Sequence, residues 1–291
     1  MMRKIGNQEV FGAAGLPLAV QLWRNPRSEP HTHEFTELVL ILEGGCTHLT
    51  GGEAYELGAG DTFVIPSGRA HAYRQPRDLL LANILFDAAG LPLPLFDLHS
   101  LPGYHVLFGL EPRYRNRDRF RSRLHLTAAQ LAEIRPLAEA METELRHRQP
   151  GFAARSAGLL LEVVVACSRW ASAGVAAPRA DLVRIGEVIS HVDCHYREPL
   201  TVPELARLGR VSESTLTRIF RQAVGATPLE YLLQRRLRRA EELLRLPGQD
   251  VKTVAALCGF RDANYFTRRF RAATGLPPRE YRRRSLPSGG A

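Results

Sequence analysis

Fifteen residues occur twice in this chain, fifty positions apart. Thr217–Tyr231 reads TRIFRQAVGATPLEY and Thr267–Tyr281 reads TRRFRAATGLPPREY. Nine positions are identical: Thr217/Thr267, Arg218/Arg268, Phe220/Phe270, Arg221/Arg271, Ala223/Ala273, Gly225/Gly275, Pro228/Pro278, Glu230/Glu280 and Tyr231/Tyr281. Chance does not give nine matches in fifteen. An internal repeat is one supersecondary unit used twice, so the carboxy-terminal part must fold as two copies of the same small element. Each copy carries a basic, helix-forming stretch, a Gly stop and a Pro restart.

The charge is placed where the repeat is. Residues 180–284 hold 20 Lys and Arg against 12 Asp and Glu, a net +8, whereas the rest of the chain holds 19 against 18. Nearly all of the +9 sits in the repeat region. A basic block beside a neutral one is the electrostatic footprint of phosphate binding. Two basic helices at fixed spacing therefore predict a double reader of nucleic acid; a merely solvated basic surface is the alternative.

The 291 residues, 45% hydrophobic, suffice for two domains with real cores. Cys46, Cys167, Cys194 and Cys258 are scattered, with no CxxC pair, which suits a reducing cytosol better than a disulfide framework. The start, MMRKIGNQEVFG, lacks the apolar core of a signal peptide. The longest apolar run, Leu159–Cys167, is broken by Glu162 and is too short to span a bilayer. A cytoplasmic protein is expected.

Residues 18–87 read as strands. Glu37–Glu43 is a continuous apolar run before Gly44-Gly45, Gly51-Gly52 marks a turn, Thr62–Ile65 stops at Pro66, and Leu79–Phe86 is a second apolar run. Short strands with closely spaced Gly and Pro turns argue a small barrel or sandwich. Residues 88–104, rich in Leu and Pro, read as an irregular connection. Thr127 caps a helix whose apolar residues Leu131, Ile134, Leu137, Ala138, Met141 and Leu145 recur at helical spacing. Its stripe (Leu131, Ile134, Met141) is a candidate dimer surface, with burial inside the monomer as the alternative. A second, largely apolar helix spans about 153–170.

From Leu182 onward the pattern is helical. Thr201-Val-Pro-Glu204 and Thr227-Pro-Leu-Glu230 are capping boxes, and Ser212 caps a helix running to about Val224. Ala206 stands where two helices cross and must be small. In that helix Leu216, Ile219 and Phe220 face a core, leaving Ser214, Thr217, Arg218 and Arg221 for bases and phosphates. The second copy starts near Asp250, passes Ala255 and a Gly259-Phe260 turn, and restarts near Asp262. There Phe266 and Phe270 face inward; Ala263, Asn264, Thr267 and Arg268 face outward. Arg is the commonest reader of guanine, and Asn pairs with adenine.

These residues resemble the AraC/XylS family of transcription regulators, whose signature is carried by GFRDANYFTRRFRAATGLPPREYR (Gly259–Arg282). The resemblance covers roughly 185–284. It implies a seven-helix domain that binds adjacent major-groove segments, with a joining helix setting the two recognition helices about 34 Å apart. At the first turn, where many members have Gly, this chain has Arg210, with Gly209 just before it.

Upstream, His31-Thr-His33-(x3)-Glu37-(x6)-Gly44 is followed by Gly60-(x5)-Pro66-x-Gly68-(x2)-His71. This resembles the two cupin motifs, with Gln75 in place of the final Asn. The resemblance implies that His31, His33, Glu37 and His71 converge inside a barrel, on one divalent transition metal (Zn, Fe, Ni or Mn) or on an organic effector. Trp23, Tyr73 and Asn83 are further pocket candidates. The run HTHEFTELVLILEGG is most similar to the cupins of rhamnose-type sugar regulators.

The fold class expected is α+β: an amino-terminal cupin β-barrel with flanking helices (1–104), a helical dimerisation segment (105–173), a linker (174–182), an all-α double helix-turn-helix domain (183–284) and a disordered tail (285–291). The function expected is a non-enzymatic, effector-responsive activator, a homodimer that binds double-stranded DNA, a small-molecule effector and RNA polymerase, with no membrane association. The alternatives are a metal-dependent cupin enzyme fused to a DNA-binding domain, supported only by the four-ligand set, and a constitutive DNA-binding protein with a vestigial barrel.

Overall fold

The computed structural model describes residues 2–12, 15–91, 96–116, 119–173, 179–246 and 248–285. It divides into two units, 1–186 and 187–291. The tail beyond Ser285, the linker stretch 174–178 and part of the connection at 92–95 lie outside the described residues.

The first unit runs β1 (Arg3–Ile5), α1 (Asn7–Phe11), β2 (Leu18–Arg24), β3 (His31–His33), β4 (Thr36–Thr50), β5 (Glu53–Gly58), β6 (Asp61–Ile65) and β7 (His71–Phe86). Then follow α2 (Pro102–His105), a π-helical turn, α3 (Glu111–Tyr114), β8 (Leu124–His125), α4 (Ala128–His147) and α5 (Phe152–Ser172). All eight strands join one sheet, in which β4 and β7 pair along their length and β2, β3, β5 and β6 attach to them.

The apolar runs at 37–43 and 79–86 are continuous because both faces of the sheet are covered. Leu38, Leu40 and Leu42 of β4, with Leu80, Ala82, Ile84 and Phe86 of β7, pack against Ile134, Ala138 and Met141 of α4 and Leu160, Val163 and Cys167 of α5. Val39, Ile41, Leu79 and Leu81 point the other way, into an interior core with Tyr55, Phe63, Tyr73 and Phe120. Three register shifts between Ile41 and Thr47 interrupt the β4–β7 ladder. Such bulges re-aim side chains: odd residues face the interior before them, and Cys46 and His48 face it after them.

Thr127 opens α4 as the sequence expects, its hydroxyl accepting from the Gln130 N–H while Gln130 reaches back to the Thr127 N–H. Ile134 and Met141 are fully buried in the monomer's own core, so the stripe read as a dimer candidate takes its other reading there.

α6 (Arg179–His195) begins inside the stretch 174–182 expected as linker and carries the chain from the first unit into the second. α7 (Val202–Leu208), α8 (Glu213–Val224), α9 (Pro228–Leu244), α10 (Val251–Leu257), α11 (Ala263–Thr274) and α12 (Pro278–Ser285) follow. Five of these starts are set locally. Thr201, Ser212, Thr227, Asp250 and Asp262 all accept backbone N–H bonds at helix N-termini, contributions of about 1 kcal/mol each.

The sequence repeat becomes a structural repeat that shares α9. In the first copy Tyr231 donates to Asp193 of α6 and packs edge-on to Phe220. In the second, Tyr281 donates to Glu241 of α9 and packs edge-on to Phe270. The paired Phe and Tyr therefore bind each recognition helix to the helix that closes its unit.

The two turns differ. Phe260 N–H bonds the Ala255 carbonyl across Gly259, and Val211 N–H bonds the Ala206 carbonyl across Arg210. Both middle residues are left-handed, Gly259 at φ +80° and Arg210 at φ +53°. The first copy thus keeps the family turn with an arginine in the strained position.

Candidate sensing cavity and nucleic-acid interface

The sheet's interior opens into a cavity of about 450 Å³. His31, His33, Glu37, His71, Tyr73, Asn83 and Trp23, all named from the sequence, line it. Arg3 and Ile5 of β1, Glu9 and Val10 of α1 and Gln21 of β2 also line it. The amino-terminal strand pairs parallel to β3, a pairing that nothing in residues 1–12 announces. Trp23 stands 39% exposed, so its ring is available to an incoming molecule.

Deeper in, the chemistry is one-sided. His33 Nδ1 donates to the Phe35 carbonyl at 2.7 Å, and His71 Nδ1 donates to the Arg69 carbonyl at 3.3 Å. A carbonyl only accepts, so each Nδ1 carries a proton, and each Nε2 faces Glu37 as a lone pair in the neutral ring or as a donor in the imidazolium. The two Nε2 atoms lie 3.3 and 3.5 Å from Glu37 Oε2 and have no hydrogen-bond partner. Tyr73 donates to Glu37 Oε1 at 3.4 Å, and the buried Asn83 Oδ1 is also unpartnered. Burial works against the Glu37 charge, but the His71 and His33 imidazoles more than offset it and hold the carboxyl below its usual range. Burial pushes His71 down to about 4.

Three of the four predicted ligands converge: one atom each of His33, Glu37 and His71 lies within 4.8 Å of the others. His31 is not in that group. Its ring lies tilted against His71, 4.3 Å between centroids, while its Nδ1 bonds the Glu29 carbonyl and it remains half-exposed. Two imidazoles and a carboxylate suit a borderline divalent cation.

His48 escaped the sequence reading. It is fully buried, its two ring nitrogens have no partner, and it lies against Phe63, His71, Tyr73 and Phe120. Burial holds it well below the ordinary imidazole range. Strict alternation from Glu37 puts residue 48 outside; the bulges turn it in. The only sequence signal is the Gly44-Gly45 pair where the ladder slips. A smaller cavity of about 280 Å³, between the sheet and α5, is walled almost wholly by apolar groups such as Phe86, Phe108 and Leu160.

In the second unit Leu216, Phe220 and Ala223 anchor α8, and Ile219 is half-buried. Ser214, Arg218 and Arg221 are exposed and Thr217 is partly so. On α11, Phe266 and Phe270 are buried while Ala263, Asn264 and Arg268 are exposed. Thr267 returns its hydroxyl to the Ala263 carbonyl. Tyr265, 43% exposed, and Arg269 share this surface and were not singled out from the sequence.

The geometry defines a class: a ligand-binding sheet domain followed by a double helix-turn-helix. Family models agree on both parts. The AraC-like ligand binding domain matches residues 16–148, and the Helix-turn-helix domain matches 205–284. The chain is 29% identical over 262 residues to the HTH-type transcriptional activator RhaR of Yersinia pestis bv. Antiqua (strain Angola), covering 89% of this chain and 86% of that protein. RhaR of Shigella dysenteriae serotype 1 (strain Sd197) is 29% identical over 255 residues, covering 87% and 86%. Among solved structures, the DNA-binding domain of AdpA in complex with a target DNA is 33% identical, covering 35% of this chain and 91% of that one, with a TM-score of 0.34. An AraC-type regulator from Chromobacterium violaceum is 30% identical, covering 37% and 95%, with a TM-score of 0.34.

The chain belongs to the AraC family of transcriptional regulators. It is a RhaR-like, effector-responsive regulator that binds double-stranded DNA, and not an enzyme. No helix among the described residues is long and apolar enough to cross a membrane.

Proposed function

We propose that this regulator activates transcription in response to a polyhydroxylated small molecule of the sugar class, held by Trp23, His31, His33, Glu37, His71 and Tyr73. The observation that carries the reading is the buried polar wall: beside the Glu37 carboxylate, His33 Nε2, His71 Nε2 and Asn83 Oδ1 line the cavity without hydrogen-bond partners. A molecule dense in hydroxyls supplies them, and the exposed Trp23 ring offers an apolar face for a sugar's C–H surface. The RhaR relatives are transcriptional activators, which supports the sign of regulation.

Effector binding shifts the output only if it prefers one arrangement of the protein. In this reading the chain acts in the cytoplasm as a homodimer through 105–173. It reads DNA with Ser214, Thr217, Arg218 and Arg221 of α8 and Ala263, Asn264, Thr267 and Arg268 of α11, and contacts RNA polymerase at the promoter. The test is a thermal-shift panel of hexoses, deoxyhexoses, amino acids and apolar acids on the full chain, followed by promoter-fragment binding with each hit. A sugar that raises the melting temperature, and loses that effect in Trp23→Ala, is expected. Stabilisation only by apolar acids would overturn the sugar assignment.

A further inference from the structure

We propose that His191 and His195 form a two-imidazole site for a borderline divalent cation such as Ni²⁺, Cu²⁺ or Zn²⁺ on the surface of the second unit. The chain there reads His191-Val-Asp-Cys-His195, at the carboxy-terminal end of α6. Residues four apart on an α-helix stand one above the other on the same face. Two histidines at that spacing can hold one ion between them. Neither residue lines the cavity of the first unit, so the inference is independent of the effector reading.

The rings are close to the separation that an ion requires. Their centroids lie 4.3 Å apart, with 27° between the planes. A ring nitrogen about 2.1 Å from an ion puts its ring centroid about 3.2 Å away, so two imidazoles on adjacent coordination positions stand about 4.5–5 Å apart. Reaching that arrangement takes an opening of about half an ångström and a turn about χ2, which is a broad torsion in histidine.

A second observation is the carboxylate behind one of the rings. His195 Nδ1 lies 2.9 Å from Glu198 Oε1. A carboxylate only accepts, so Nδ1 carries the proton and Nε2 is the lone pair of the neutral ring. A carboxylate in this place is the support that a metal-binding histidine ordinarily has. Glu198 is itself held on both sides. Its N–H bonds the His195 carbonyl, and its carbonyl accepts from Arg236 of α9, which also bonds the Tyr196 carbonyl. Burial, and then the His195 ring, hold the His191 imidazole below its ordinary range, against the pull of Glu198 and of Glu204 in the first turn of α7. A lowered imidazole offers its lone pair at neutral pH, while the two carboxylates attract a cation. The His195 side chain is 43% exposed, so water can complete the shell. Imidazole suits Ni, Cu and Zn, whereas Mg and Ca prefer oxygen.

The experiment uses the untagged full chain, freed of metal with a chelator, and Ni²⁺ alone. An ion fixed to a column support reaches only exposed imidazoles, so the buried cluster of His33, Glu37 and His71 is silent there. Expected is retention on immobilised Ni²⁺ that imidazole reverses and Mg²⁺ does not. Loss of a supporting hydrogen bond typically weakens a metal site about 10- to 100-fold. Glu198→Gln should therefore weaken Ni²⁺ by about tenfold, and His191→Ala or His195→Ala by more. His125→Ala and His147→Ala remove exposed histidines with no histidine four residues away, and should keep retention within about twofold. In urea, Ni²⁺ should raise the midpoint of the second unit's helices seen by circular dichroism, and the rise should vanish in His191→Ala. Equal midpoints without Ni²⁺ show that a variant folds. Undiminished retention of a chain carrying both His191→Ala and His195→Ala, or as deep a loss in His125→Ala, would overturn the site. So would a Ni²⁺ effect confined to the fluorescence of Trp23 and Trp170, which lie in the first unit.

Discussion

Replacing Gly259 by alanine should unfold the carboxy-terminal unit far more easily than the same change at Gly225. Both glycines are left-handed, at φ +80° and +83°. An alanine in that region costs about 1–2 kcal/mol. At Gly225 a Cβ meets nothing within 4 Å, so that is the whole penalty. At Gly259 it would stand 2.6 Å from the Arg197 carbonyl oxygen and 2.8 Å from the Arg197 Cα, backbone atoms that no rotamer change can move. Forcing such a contact typically adds about 1–3 kcal/mol, while the lower entropy of an unfolded alanine returns about 0.4–1 kcal/mol. The net loss is then about 1 kcal/mol or less at Gly225 and about 2–4 kcal/mol at Gly259. The assay is urea unfolding of the full chain followed by two probes. Trp23 and Trp170, the chain's two tryptophans, lie in the first unit, so fluorescence reports on that unit, and far-UV circular dichroism adds the helices of the second. With a slope of about 2 kcal/mol per molar urea, the second unit's midpoint should drop by roughly 1–2 M in Gly259→Ala while the fluorescence transition stays put. Arg210→Gly, which relieves the matching residue of the first turn, should leave that midpoint within about 0.5 M. Equal midpoints for Gly225→Ala and Gly259→Ala would refute the close-approach argument.

Arg268→Ala should cost about 1–3 kcal/mol on a cognate site and less on random DNA, if its exposed guanidinium reads a base; titrations on both DNAs, across salt, decide it, since an equal loss with a slope change of about 0.9 marks a phosphate contact. Acid should destabilise the first unit through His48. Burial holds its folded-state pKa well below 6.5, so the unfolded chain takes up the proton first; stability is full above about pH 6.5 and falls below it by up to about 1.4 kcal/mol per pH unit. His48→Phe should remove up to one proton's worth of that slope in fluorescence-detected melts between about pH 6.5 and 5, and an unchanged slope would clear His48. Arg115→Met should cost about 3–5 kcal/mol in the same melts, because it strands the buried Glu111 carboxylate, which Arg115 contacts at 2.7 and 3.0 Å; a loss under about 1 kcal/mol would show Glu111 finding water or a proton instead.

The sequence by itself determined what depends on neighbours along the chain. The double unit was legible because nine of fifteen residues recur, and six helix starts were legible because Thr127, Thr201, Ser212, Thr227, Asp250 and Asp262 close their bonds within two or three residues. The buried faces of α8 and α11 followed from helical periodicity. The runs at 37–43 and 79–86 announced strands, and the resemblance of the histidine and glutamate motifs to those of cupins implied a shared cavity. The tertiary structure decided which of those side chains meet. His31 and His33 stand two residues apart and share a strand, and both lie against His71, yet only His33 joins Glu37 and His71 in the convergent group. His48 enters the interior because the ladder slips between Ile41 and Thr47, and a slip inverts every side chain after it. β1 lies against β3, and Phe120 closes on His48 and Phe63, through pairings made across 28 residues and more. The α4 stripe faces the sheet because Leu38, Leu40 and Leu42 present an apolar surface to it. A stripe's period says that one face is buried; only the rest of the chain, brought alongside, says against what.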